Sequence, residues 1–305
     1  MITVVGSFVV DLMARSPHLP VPGETVLGGP FKMGPGGKGS NQAVAAAKAG
    51  SKVNMVTKLG KDAMATIATD CWDSVGIDYS KTPIDNEEAT GVALIMVDSN
   101  TSENMILVAS GTCLKMTKEE VDAAADMIKA SNVVMLQLEI SMEAGLRAAQ
   151  IAHENGVKVI FNPAPYSKFP EEIIPLIDYA TPNETEAGQW AGIEVVDDAT
   201  AVEAAKRIVA MGVKNVIITL GKRGCLVYEG DGTYNFVDSF KVNAVDTTGA
   251  GDAFNGGFAH AIDAGMNPKD AVRFASAVGA LSVTKIGTAP AMPTKEEIED
   301  FLSKN

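Results

Sequence analysis

From Val53 onward, short β-branched runs alternate with segments of helical period, and this alternation constrains the fold more than any other feature of the chain. Strand, helix and strand in succession pair in parallel, and a parallel sheet needs helices on both faces. Thr117-Lys-Glu-Glu120 reads as a capping box opening a helix with Val121, Ala124, Ala125 and Ile128 on one face. A buried-type strand over 133–138 follows. A helix over 142–154 leads to a strand over 157–161, and one over 201–211 leads to a strand over 216–220, each through a glycine turn. The pattern is that of an α/β protein with a mostly parallel sheet.

Two stretches break this rhythm. Residues 8–34 are extended and punctuated by Pro and Gly, and 90–110 holds two strand-like runs, GVALIMV and NMILVAS, around the polar turn Asp98-Ser-Asn-Thr-Ser-Glu103. Together they form either a small separate sheet, serving as a lid or a dimer surface, or a meander on the edge of the main sheet. With no repeat and no long linker, the 305 residues read as one domain with this excursion.

The net charge of −13 argues against nucleic acid, whose phosphates are bound by clustered Lys and Arg. Cys71, Cys113 and Cys225 lie far apart with no C-x-x-C spacing, so a disulfide framework and a zinc site are both disfavoured and the cytoplasm is the expected location. The start, MITVVGSFVVDLM, lacks a basic region and carries Asp11 within its apolar stretch, so it reads as a first strand rather than a signal peptide, and no apolar run is long enough to span a bilayer. Only three histidines occur, which leaves no His-based metal cluster or triad.

Asn243-Ala-Val-Asp246-Thr-Thr-Gly249-Ala-Gly251-Asp252-Ala253 runs from extended chain through two glycines into an apolar helix. The first N–H groups of a helix have no intrahelical acceptor and the peptide dipoles favour negative charge, so Gly249, Ala250 and Gly251 can line an anion pocket. Asp252 then stands beside it, able to orient or deprotonate a hydroxyl next to a transferring phosphoryl group. The competing reading is a plain glycine turn with Asp252 complementing the helix dipole.

Gly34-Pro-Gly36-Gly37-Lys38-Gly39-Ser40-Asn41 precedes a helix over 42–49 and formally matches G-x-G-x-x-G. A dinucleotide fold would place that loop after the first strand with an acid about 20 residues later, but here the strand over 53–57 ends in Lys58. Walker A fails because Gly39 follows Lys38. What remains is a group of backbone donors, an ammonium and an amide at a helix start, suited to a polyhydroxyl ligand or its phosphate. Asn162-Pro-Ala-Pro165 and Thr181-Pro-Asn183-Glu184-Thr-Glu186 each end a strand, where ligands gather in open α/β sheets. Asn183 and Glu186 either form a capping box or place a carboxylate for a hydrated Mg²⁺. Thr219-Leu-Gly221-Lys-Arg-Gly224 is either a nucleotide-binding loop or a turn into the strand Cys225–Tyr228.

Taken in order and spacing, GGKGSNQAVAAAKAG, QLE, NPAP, TPNETEA, TLGKRG and VDTTGAGDAFNGGF resemble the ribokinase branch of the PfkB carbohydrate kinase family over essentially the whole chain. The resemblance implies a ribokinase-like three-layer α/β sandwich with a β lid that often mediates a homodimer, and ATP-dependent phosphorylation of a pentose, ribose by default, at its 5-hydroxyl. It implies Asp252 as base and Gly249, Ala250 and Gly251 as anion hole. Asp11, Gly37, Lys38, Asn41 and Glu139 match sugar contacts, and Asn183, Thr219, Gly221, Gly224 and Ser276 match nucleotide contacts. Glu186 matches the acid linked to Mg²⁺ and phosphate. Asp246 and Thr248, with Ser282, Lys285 and Gly287, match a loop for a monovalent cation, K⁺. The helix N-terminus is expected to keep Asp252 ionised.

Two positions depart from that pattern. Ribokinases carry Asn two residues before the first-strand Asp, whereas this chain has Val9 before Asp11. A sugar hydroxyl buried against valine without a partner costs about 1–3 kcal/mol, and deoxyribokinase-like members also have an apolar residue there, so 2-deoxyribose is a candidate beside ribose. A neighbouring side chain or water can also satisfy that hydroxyl. Ala291 stands where ribokinases commonly place a cation-ligating Ser. Competing readings are a nucleoside kinase, a nicotinamide oxidoreductase, and a sugar sensor without activity. GGKGSNQA with Glu139, the missing acid after Thr57, and the intact Asp252 argue against them respectively.

Overall fold

The computed structural model describes residues 1–101 and 103–305, so Ser102 of the expected 98–103 turn lies outside the described residues. The strands are β1 Ile2–Val5, β2 Val9–Ser16, β3 Phe31–Gly36, β4 Val53–Val56, β5 Leu59–Gly60, β6 Ile84–Asp85, β7 Thr90–Asp98, β8 Asn104–Gly111, β9 Val133–Leu136, β10 Lys158–Phe161, β11 Tyr179–Ala180, β12 Asn215–Thr219, β13 Cys225–Tyr228 and β14 Tyr234–Val237. The helices are α1 Lys38–Lys48, α2 Met64–Asp73, α3 Lys118–Ala123, α4 Ala125–Lys129, α5 Met142–Glu154, α6 Glu184–Ala191, α7 Asp198–Ala210, α8 Ala250–Asp263, α9 Pro268–Ser282 and α10 Lys295–Lys304.

Eight strands form the main sheet in the order β14-β13-β12-β11-β10-β9-β1-β4. Pairing is parallel from β4 through β12 and antiparallel only at β12–β13 and β13–β14. Side chains of successive strand residues point to opposite faces, and the strands are apolar on both. In β9, Val133 and Met135 enter the core that also holds Ala43, Ala253 and Phe258, while Val134 and Leu136 enter the core with Ala148, Ala187 and Ala204. Helices on both faces thus complete three layers. Met142–Glu154 forms as expected, with Gly156 at φ +71 ending it. The expected helix from Lys118 divides at Ala124 into α3 and α4, a break that neither Pro nor Gly marks. The strand expected over 133–138 stops at Leu136, where Gln137 turns into a buried polar network.

The two irregular stretches pair with each other rather than with the main sheet. They make a four-stranded sheet in the order β3-β2-β7-β8, with β2–β7 parallel and the other pairs antiparallel. Glycines set the site end of β2: a Cβ on Gly36 would lie 2.3 Å from Asp11 Oδ1, and one on Gly91 would lie 2.9 Å from Val9 Cγ1. Val9 and Asp11, two residues apart, therefore face the same side of this sheet.

Candidate active site

The glycine-rich loop feeds α1 earlier than its composition suggests, since Lys38, Gly39, Ser40 and Asn41 are already helical. Gly37 adopts φ +85, and a Cβ there would stand 2.8 Å from Phe8 Cα and Val9 N, so the helix start lies directly on the β1–β2 connection. Gly37 offers no side-chain cap. The anion comes from far away in sequence: Glu139 Oε2 accepts from Lys38 N at 2.9 Å and from Ser7 Oγ at 2.5 Å. Glu139, matched to a sugar contact, is thereby also the cap of α1.

Asp252 occupies the first turn of α8, behind Gly249 in the left-handed conformation at φ +75. Its carboxylate is buried but lines a cleft of about 230 Å³ shared with Lys38, Asn183, Glu186, Thr219 and the Gly249–Gly251 turn. Two amides from α1 hold it, Asn41 Nδ2 on Oδ2 and Gln42 Nε2 on Oδ1, each at 3.0 Å. Ala250 N donates to Thr247 O at 3.2 Å, whereas the N–H groups of Gly251 and Asp252 have no acceptor among the described residues. A Cβ on Gly251 would meet nothing within 4 Å, and Gly251 and Asp252 both line the cleft. The arrangement offers a carboxylate and free helix-end donors to one volume.

Electrostatics in the cleft are dominated by burial. Desolvation pushes the Asp252 carboxyl up from its ordinary value, Lys38, Gln42 and Asn41 pull it back, and Glu139 adds to the rise. Burial thus opposes the expected influence of the helix end, and the downward pull on Asp252 comes from side chains of α1. Burial also lifts Asp11 to about 6, with help from the charges of Glu139 and Asp252. Burial alone would lower Lys38, but Asp252, Glu139 and Glu186 around it raise it overall. Glu186 is likewise raised by burial, against the pull of the Asn183 N–H and Lys38.

Asn183 and Glu186 form the capping box of α6, with Asn183 Oδ1 accepting from Glu186 N at 2.8 Å and Glu186 Oε2 from Asn183 N at 2.9 Å. Glu186 Oε1 has no donor among the described residues, so the cap leaves one carboxylate oxygen toward the cleft, as a hydrated divalent cation requires. Thr219 bridges to Asn183 and reaches the cleft. Gly221 and Gly224 do not line it. They close a tight turn through Gly224 N to Gly221 O at 3.1 Å, and a Cβ on Gly224 would collide with Val237 O at 2.0 Å. Ser276 stands outside the cleft wall too, 3.9 Å from Cys225 Sγ.

Asp246 organises the adjoining loop, its carboxylate accepting from Thr248 N at 2.9 Å and Gly287 N at 3.0 Å, contacts that hold it below the usual range despite burial. The carbonyls of Thr248, Lys285 and Gly287 carry no backbone donor among the described residues, while that of Ser282 accepts from Lys285 N. Those free carbonyls suit a monovalent cation. The Lys285 ammonium turns away to Glu297.

Sequence reasoning missed Gln42, Gln137 and Asn255 as site residues. Gln42 and Gln137 are 0% and 1% exposed, and a glutamine followed by AVAAA on a helix due for the core was the available signal. Asn255 accepts from Thr181 Oγ1 at 2.5 Å and donates to Gly251 O at 2.8 Å, bracing the Gly249–Gly251 turn.

Residues 1–295 match the family described as pfkB family carbohydrate kinase. The ribokinase of Haemophilus influenzae is 40% identical over 301 residues, 99% of this chain and 98% of that protein. The deoxyribokinase of Salmonella typhi is 38% identical over 305 residues, 100% of this chain and 99% of that protein. The structure of Arabidopsis thaliana ribokinase complexed with ribose and ATP is similar at a TM-score of 0.92 and 29% identity, over 99% of this chain and 98% of that one.

Proposed function

The chain belongs to the pfkB carbohydrate kinase family and is an ATP-dependent sugar kinase of ribokinase type, and on that premise we propose that it phosphorylates a pentose at its 5-hydroxyl with Asp252 as general base. D-ribose is the default substrate. The observation that carries this reading is the single cleft in which Asp252 and Lys38 meet the Gly249–Gly251 turn, Asn183 and Thr219.

The sugar lies on the Asp11, Gly37, Asn41 and Glu139 side. Asn41 Oδ1 is buried without a hydrogen-bond partner, a cost of about 1–3 kcal/mol that a sugar hydroxyl removes by donating to it. Asp252 orients the 5-hydroxyl through the lone pairs its two amides leave free, and accepts the proton late, since a carboxylate is a far weaker base than an alkoxide. Gly249, Ala250 and Gly251 receive the charge that develops on the transferring group, and Lys38 lies across from them. Asn183 and Thr219, which line the cleft, take the phosphate end of the nucleotide, and Gly221, Gly224 and Ser276, outside its wall, are proposed for the rest of it. Mg²⁺, held through water by Glu186, supplies neutralisation of phosphate charge when bound, and K⁺ is assigned to the loop of Asp246, Thr248, Ser282, Lys285 and Gly287. Ala291 gives that loop no side-chain oxygen.

2-Deoxyribose is favoured by a specific observation. Val9 is 6% exposed yet belongs to neither hydrophobic core, and it faces the same side as Asp11. An apolar wall there suits a sugar lacking one hydroxyl. The small sheet acts as the lid and as the homodimer surface: β8 is an edge strand with Met105, Ile106, Leu107 and Val108 each about half exposed or more. No described helix is long and apolar enough to cross a membrane, and three free cysteines suit the cytoplasm. The test is a coupled assay of ADP release against ribose, 2-deoxyribose, other pentoses, hexoses and nucleosides. Turnover confined to ribose and 2-deoxyribose supports the reading, and preference for a nucleoside or hexose overturns it.

A further inference from the structure

A carboxamide presents an oxygen on one side and two hydrogens on the other, so its orientation must be fixed by its neighbours. Around Asp252 the fixing begins at a main-chain group. The carbonyl of Thr181 can only accept, and Asn162 Nδ2 donates to it at 2.9 Å, which turns Asn162 Oδ1 the other way. Gln42 Nε2 donates to that oxygen at 3.1 Å and gives its second hydrogen to Asp252 Oδ1 at 3.0 Å. Gln42 Oε1 then accepts from Gln137 Nε2 at 2.8 Å. Every member is buried, which raises the cost of leaving any of these bonds unmade. Only one orientation of Gln42 satisfies them all.

We propose that Gln42 is the positioning residue of the reaction, fixing the Asp252 carboxylate toward the sugar hydroxyl, with Asn162 anchoring its orientation and Gln137 donating to its oxygen. The backbone is built for this contact. A Cβ on Gly256 would lie 2.4 Å from Ala45 Cβ and 2.5 Å from Gln42 O, so α1 and α8 are in close backbone contact one turn beyond Asp252. With Asn41 on the other oxygen, both carboxylate oxygens receive donors. A proton on either would face an N–H, so the network favours the ionised base and opposes burial. Asp252 also faces Lys38 of α1, Asp11 of β2, Glu186 of α6 and Glu139 beyond β9.

The inference rests on Asp252 being the base, and one assay separates the two claims. Gln42→Met, Gln137→Met, the double variant and Asp252→Asn are compared for kcat across pH at saturating sugar and ATP, for sugar KM, and for folding. Gln42→Met is expected to lower kcat about tenfold and move its acid limb up by about one pH unit, with sugar KM within about threefold. Gln137→Met shifts the same limb less, and the double variant is no worse than Gln42→Met alone. An unmoved limb with near-normal kcat in Gln42→Met overturns the proposal, as do losses that simply multiply in the double variant. If Gln42→Met does not fold, an unmoved limb in Gln137→Met overturns it alone. Normal turnover by Asp252→Asn defeats the base assignment. An inert Asp252→Asn beside an unaffected Gln42→Met defeats only the role of Gln42.

Discussion

Thr288 Oγ1 donates to the carbonyl of Pro35 at 3.1 Å, joining positions 253 residues apart. A Cβ on Gly249 would lie 3.2 Å from Thr288 Cγ2, so this side chain connects the base of β3, in the small sheet, to the cap of α8. Gly287, its neighbour, donates to Asp246. The proposed sugar side, anion-binding turn and cation loop therefore meet at one buried threonine.

Thr288→Val keeps the shape and removes the hydroxyl. We expect kcat/KM for the sugar to fall about fivefold, the equivalent of one net hydrogen bond of about 1 kcal/mol, while Thr288→Ser stays near wild type. Steady-state kinetics of both variants check this, and equal behaviour of the two would separate Pro35 from catalysis.

Gly251→Ala should be more stable and less active. Gly251 is helical and a Cβ there meets no atom within 4 Å, so the exchange gains about 0.5–1 kcal/mol in denaturant unfolding. The added methyl would crowd the cleft that Gly251 lines, beside the free N–H groups, and kcat is expected to drop about a hundredfold, the scale of a lost oxyanion donor. Loss of stability, or retained activity, would place the anion elsewhere.

The carboxylates give a pH dependence whose sign follows from Asp11. Burial raises its folded value to about 6 from an ordinary 3.8, so between these values the folded state binds more protons and stability falls as pH rises. In its proposed role as a sugar contact Asp11 runs the other way, because the ionised carboxylate is the stronger acceptor. In the free enzyme kcat/KM for the sugar should decline below about pH 6. Asp11→Asn should lose that decline and, above pH 6, gain stability on the order of 1 kcal/mol, reduced by the partial exposure of the site. An unchanged acid limb in this variant contradicts the assignment.

How far these features could be read beforehand depended on whether each is local. The Asp246–Asp252 segment announces itself, since two glycines before an apolar helix are a complete local signal, and α8 starts at Ala250 as that signal requires. Asn183 and Glu186 were legible for the same reason, and the structure shows that one residue can both cap α6 and line the cleft. Gln42 and Gln137 were opaque: a glutamine in a helix and another after a strand acquire meaning only when α1, α8 and β9 converge. The cap of α1 by Glu139, 101 residues away, could not be seen locally either. Gly221 and Gly224 were legible as a glycine turn, which they form, while their place outside the cleft wall is set only by the fold.

Val9→Asn tests the sugar preference. An amide beside Asp11 supplies the donor and acceptor that valine lacks, so kcat/KM for ribose over 2-deoxyribose should rise about tenfold or more, the value of one satisfied buried hydroxyl. An unaltered ratio means that another group already serves that hydroxyl.

The central claim is that Asp252, at the mouth of the α8 helix end, takes the proton of the sugar hydroxyl. Its most direct measurement is turnover by Asp252→Asn, followed as ADP release, beside calorimetric sugar binding to the same protein. The account predicts a kcat lower by about 10²–10⁴-fold with sugar affinity within about tenfold of wild type. Turnover close to wild type in a folded, sugar-binding variant would contradict it.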